Sequence, residues 1–139
     1  QAALGLAQLE RMEEIVARKK RTGREYTRRL ESIRELQLPV EESWAHSVYW
    51  MYGIVISEET GMDNTEFARQ LAERGVETRP FFLGMHEQPV FHQQGLFTGE
   101  HYPVAERLAR QGLYLPSGLA LTDEQLEQVC EAVREVICK

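Results

Sequence analysis

Thr78–Arg79–Pro80–Phe81–Phe82–Leu83–Gly84–Met85–His86–Glu87–Gln88–Pro89 packs an arginine, two phenylalanines, a histidine and two prolines into twelve residues. Val76 to Arg79 reads as a strand entering this stretch, and Pro80 removes a backbone donor and ends its ladder. Helices and an apolar strand precede the stretch; a loop, a short strand and a closing helix follow it. That order, with one strand leading into an aromatic, proline-bounded excursion, decides the fold as α/β or α+β with a small sheet. The excursion is then the natural wall of a ligand site.

Working outward toward the start, Val48–Ile56 is rich in aromatic and β-branched residues and reads as a strand covered on both faces. Asp63 with Glu66 three residues on opens a helix over 64–74 that stops at Gly75. Leu6, Leu9, Met12, Val16, Tyr26, Leu30 and Ile33 recur at mostly helical steps. Residues 1 to about 36 therefore read as one long helix bent in its middle or as two helices that meet there, and one long helix is preferred. Its middle, Arg18 to Arg24, is almost wholly polar, and Gly23 there costs about 1 kcal/mol relative to alanine. An anionic-ligand patch and a localisation signal are readings of that basic run; a solvated helix face is preferred. Toward the end, Pro103 suits a first helical turn and Gly112 a position just past its end. Leu113–Leu115 makes a short strand closed by Pro116, and Thr122 with Gln125 forms a capping box for a last helix. The expected sheet has three strands.

The chain has 139 residues, the size of one domain, with a net charge of −6. That balance disfavours nucleic acid or an anionic membrane as a partner. No apolar run approaches the ~20 residues of a bilayer span, and no secretory leader is visible. Cys130 and Cys138 lie eight apart on one expected helix, roughly 12 Å, out of disulfide reach. They read as reduced thiols, so a cytoplasmic location is expected. The chain opens without Met on what looks like mid-helix, so a larger parent protein is expected.

Five stretches resemble one family in its own order: Gln1 to Leu9; Gly75 to Phe82 with His86 and Pro89; Tyr102 to Glu106; Leu113 to Leu119; and Leu121 to Gln125. The chain resembles the C-terminal part of the DegT/DnrJ/EryC1/StrS family of pyridoxal-phosphate-dependent sugar aminotransferases. The resemblance implies the small domain of a fold-type-I enzyme at 37–139, preceded by a linking helix at 1–36. It implies an N-terminal, cofactor-binding large domain outside this sequence, and a homodimer. It also implies pyridoxal phosphate in the parent, with a glutamate or glutamine donor and a nucleotide-linked keto sugar as substrates. Gly84–Met85 departs from the bulkier or proline-containing sequence expected there.

Lys19, Lys20 and Lys139 are the only lysines. Two sit in the polar middle of a helix and one ends the chain, so none reads as a Schiff-base lysine and no catalytic residue is assigned. Substrate-wall roles are open to three residues. Arg79 suits a carboxylate or phosphate, or else an interdomain salt bridge. Phe81 offers a ring to a sugar or base, or packs in the core. His86, near the active site in the family pattern, suits a hydrogen bond to a sugar hydroxyl or phosphate. The spacings of His86, His92 and His101 match no zinc pattern. The expected function is thus the non-catalytic C-terminal part of a sugar aminotransferase. The alternative is a stand-alone binding or dimerisation module derived from it. In either case exposed apolar faces should drive self-association.

Overall fold

In the computed structural model, which describes residues 1–138, the opening helical region forms two helices, α1 (Ala2–Leu9) and α2 (Met12–Leu30). The stretch read as one long helix breaks at Glu10–Arg11, where neither glycine nor proline marks it. Alpha-1 buries no residue, whereas α2 buries Gly23, Tyr26 and Leu30. Next come β1 (Leu36–Gln37), β2 (Tyr52–Ile56) and a 3-10 turn at Glu58–Thr60. Helix α3 (Asn64–Ala72) begins where Asp63 accepts from the Thr65 and Glu66 amides, as its spacing predicts.

Strand β3 is only Arg79–Pro80, and Pro80 lies within the ladder rather than ending it. The Phe81 amide continues the pairing, donating to Gly112 O at 2.9 Å. After it come a 3-10 turn (Met85–Glu87), α4 (Pro89–Gln93), α5 (Pro103–Gln111), β4 (Gly112–Leu115) and α6 (Asp123–Ile137). Thr122 and Gln125 make the expected capping box. Gly112 lies just past the end of α5, as its spacing predicts, and its φ of −93° and ψ of 140° carry the chain straight into an extended strand.

The sheet is antiparallel throughout, in the order β1-β2-β4-β3. It has four strands rather than three. The extra one, β1, pairs Leu36 with Ile56, and two residues are too few to carry a period in sequence. Alternation splits the sheet into two faces. Tyr52, Ile54, Ile56, Leu113 and Leu115 share one core with Tyr26 and Leu30 of α2, Phe67 and Leu71 of α3, and the buried stripe of α6. Gly53, Val55, Gly112 and Tyr114 take the other face, toward α5 and the excursion after β3. Cys130 is buried in the core, where desolvation pushes its thiol up to about 11.

Candidate functional site

Arg79 stands opposite Tyr114 across β3 and β4, and Tyr114 stands opposite Gly53 across β4 and β2. Directly opposed residues share a face, so Arg79, Tyr114 and Gly53 line up across the sheet. Phe81, two residues beyond Arg79, turns back over this row. Its ring lies 4.5 Å from that of Tyr114, and it sits above two glycines. A Cβ on Gly53 would fall 2.7 Å from the Phe81 ring, and one on Gly112 only 2.2 Å from it. The two glycines form a seat, and Phe81 fills it.

Beside this row is a cleft of about 250 Å³ lined by Met51, Glu77, Thr78, Arg79, Tyr114 and Ser117 among others. Arg79 is exposed, and its guanidinium has no hydrogen-bond or ion-pair partner among the described residues. Thr78 Oγ1 is buried and equally without a partner. The rim is held by Lys19. Its Nζ donates to Trp50 O at 3.0 Å and to Ser117 O at 2.5 Å, tying α2 to the ends of β2 and β4. Burial without an anionic partner lowers the Lys19 pKa. The basic run of α2 is therefore more than a solvated face, because Arg21 also crosses to Asp123 at 2.6 Å.

His86 lies elsewhere, on a second cleft of about 570 Å³ shared with His92, His101, Glu106 and Arg110. It is 7% exposed, and its Nε2 donates to Glu106 Oε1 at 3.2 Å. The same carboxylate accepts the Tyr102 amide at 2.8 Å and lies 3.6 Å from His101 Nδ1. His92 Nε2 donates to the His86 carbonyl, and the Tyr102 ring packs edge-on against the His86 imidazole at 4.8 Å. Gly84, the departure noted in the sequence, has a structural reason. A Cβ there would lie 2.6 Å from the imidazole. No group of three or more His, Cys, Asp or Glu among the described residues is placed to hold a metal ion.

The three residues singled out in the sequence are thus near one another in chain but differently placed. Arg79 lines the smaller cleft, His86 the larger, and Phe81 packs between sheet and excursion. Glu106, Lys19 and Tyr114 were missed, because their partners lie twenty or more residues away or are backbone carbonyls.

Glu106 also sets a pH dependence. The Tyr102 amide, and after it His86, hold its carboxyl below the usual carboxylate range. A folded-state pKa below the unfolded one contributes stability that is present above about pH 4.3 and lost as pH falls through the folded value. Wild type should therefore melt above Glu106→Gln at pH 7, with the difference closing as pH falls below the usual carboxylate range in a thermal-denaturation series. A pH-independent difference would assign the effect to shape rather than charge.

The described helices include none long and apolar enough to cross a membrane. A model of the DegT/DnrJ/EryC1/StrS aminotransferase family matches residues 1–134. GDP-perosamine synthase of Escherichia coli O157:H7 is 32% identical over 134 residues, covering 96% of this chain and 35% of its own length. The putative pyridoxal phosphate-dependent aminotransferase EpsN of Bacillus subtilis is 27% identical, over 95% of this chain and 34% of its own. The crystal structure of the aminotransferase TlmJ from Streptoalloteichus hindustanus superposes with a TM-score of 0.83 at 28% identity. It covers 99% of this chain and 36% of that one. The chain spans about a third of the length of the relatives it matches.

Proposed function

The chain belongs to the DegT/DnrJ/EryC1/StrS aminotransferase family, and from that premise we propose that it is the C-terminal part of a pyridoxal-phosphate-dependent sugar aminotransferase. The parent moves an amino group from glutamate or glutamine to a nucleotide-linked keto sugar. This part supplies substrate wall and dimer contacts and is not active alone. The observation that carries the reading is the family match over residues 1–134, which in each named relative occupies only about a third of the protein.

The described lysines do not fit the cofactor. Pyridoxal phosphate acts as an electron sink once joined to a lysine amine. Lys19 already gives two hydrogen bonds to carbonyls, and Lys20 sits in the same helix turn of α2; Lys139 lies outside the described residues. The cofactor is therefore expected to be held by residues outside this sequence, and no chemical step is routed through this chain. What the chain offers is binding. Arg79 presents a partnerless fork for an anionic group, and Phe81 holds that arginine's strand against the sheet. His86 lines the larger cleft with its Nε2 held by Glu106, and Nδ1, on the edge beside Gly84, is the nitrogen left to accept from a substrate hydroxyl. Alpha-1 supports the partner reading. Leu4, Leu6 and Leu9 are 71%, 58% and 64% exposed on a helix of eight residues, too short to persist unpacked in water. It suits contact with the large domain and a second subunit.

The test belongs in the complete enzyme. Arg79→Ala with His86→Ala should lower kcat/KM for sugar and amino donor by about tenfold or more, the scale of a lost charge-assisted hydrogen bond. Bound-cofactor absorbance should be retained. Unchanged catalytic efficiency for both substrates would remove these residues from the site.

A further inference from the structure

Arg79, Tyr114 and Ser117 bring three polar side chains to one cleft, and none of the three has a side-chain hydrogen-bond partner among the described residues. Arg69, Arg74 and Arg110 of the same chain each hold a carboxylate. Tyr114 adds a phenolic donor on the same sheet face as Arg79, oriented by its ring contact with Phe81.

Charge points the same way. In a chain of net −6, two of the cationic side chains flank this cleft: Arg79 in its lining, and Lys19 at its rim. An ammonium has three donors, and Lys19 commits two of them to Trp50 O and Ser117 O. Glu77, exposed, is the one carboxylate in the lining. Size limits the occupant. About 250 Å³ is below the ~300–1,000 Å³ of a whole-ligand pocket, and suits one functional group with its immediate neighbours.

We infer that this cleft is a subsite for a small oxyanion, a carboxylate or phosphate group, in which Tyr114 and Ser117 join Arg79 as ligand-contacting residues and Lys19 is the positioning residue that sets the rim. The inference rests on the substrate-wall reading of Arg79 and adds its missing partners. The guanidinium takes two oxygens of the anion, and the Tyr114 and Ser117 hydroxyls donate to the remainder. Lys19 acts through the backbone, keeping Trp50 and Ser117 at a fixed separation across the opening.

The experiment is an amide chemical-shift titration of the 139-residue chain with inorganic phosphate and, separately, with acetate, at constant ionic strength. Saturable shifts confined to 78–79 and 114–117 are expected, and the stronger of the two arms identifies the group the cleft takes. Arg79→Gln should weaken binding about tenfold or more, and Tyr114→Phe roughly three- to tenfold, since each loses a bond to a charged group. Tyr114→Phe keeps its ring on Phe81, so its melting temperature should stay at the wild-type value. Lys19→Gln should weaken binding and shift the Trp50 and Ser117 amides even without anion. No saturable shift in either arm overturns the inference. Binding lost with Arg79→Gln but untouched by Tyr114→Phe and Lys19→Gln also overturns it, while leaving the substrate-wall role of Arg79 intact.

Discussion

Gly112→Ala is expected to destabilise the chain by about 3 kcal/mol, on the order of 10 °C in melting temperature. The backbone at Gly112 is ordinary extended chain, so the cost is steric rather than conformational. The added methyl would lie 2.2 Å from Phe81 Cδ2 and 2.5 Å from the Leu108 carbonyl oxygen. A ring can swing away, but the carbonyl belongs to the last turn of α5 and accepts the Gly112 amide itself. Relieving the contact means parting α5 from β4. The Gly112 carbonyl also accepts from the Phe81 amide at 2.9 Å and from Asn64 Nδ2 at 2.9 Å, and the same amide nitrogen reaches Ala109 O at 2.8 Å. Asn64 is 6% exposed, so these carbonyls have little access to replacement water. One methyl thus loosens α3, α5, β3 and β4 together. Thermal unfolding by circular dichroism reads the stability, and faster exchange of the Phe81 amide reads the release of the excursion. Shrinking the ring with Phe81→Leu in the alanine background should restore only part of the loss, because the carbonyl contact remains. A melting temperature within 2 or 3 °C of wild type would show that the seat has room the distances deny.

The same seat explains what sequence reasoning could and could not reach. Elements written in local chemistry were legible: the apolar run ending at Ile56, the Asp63 cap of α3, and the Thr122–Gln125 box of α6. Each is decided within four residues or by one period. What failed was decided across the chain. Gly112 does follow the end of α5, but the need for it to be small was hidden, because Phe81 arrives from 31 residues away. His86 stands out through the family pattern alone, and its fixing by Glu106, twenty residues on, leaves no local mark. Lys19 was dismissed with the basic run. Its partners are two backbone carbonyls, which any sequence could provide, and so nothing in the sequence announces them. The cleft proposed to take an anion was half visible as Arg79 and half hidden as Tyr114, which read as part of a strand closed by Pro116.

Gly23→Ala poses a contest between two effects of opposite sign, and its outcome tests how α2 grips the chain before β2. Inside a helix the substitution gains about 1 kcal/mol of propensity. Against that, the new Cβ would sit 2.4 Å from Cγ of Tyr49 and within 2.9 Å of both Cδ atoms, at the base of the ring where no small swing relieves it. Tyr49 is 7% exposed, stacks on Tyr52 at 6.2 Å and bonds Glu41 through its hydroxyl. Expelling a ring that buries about 150–200 Å² at about 25 cal/mol per Å² costs roughly 4–5 kcal/mol. Tyr49 has φ 48°, and leaving that left-handed conformation returns about 1–2 kcal/mol. The balance is a loss of about 2 kcal/mol. The release should spread, since Lys19, Gly23 and Thr27, at four-residue steps on one side of α2, hold Trp50, Tyr49 and Tyr52 in turn. Tryptophan fluorescence anisotropy reports it, because Trp44 and Trp50 both lie between β1 and β2. The decisive arm is the Tyr49→Ala background. With the ring gone only the propensity gain remains, and Gly23→Ala should then stabilise by about 1 kcal/mol in urea unfolding. Stabilisation of the wild type by Gly23→Ala would mean that Tyr49 is not seated against α2.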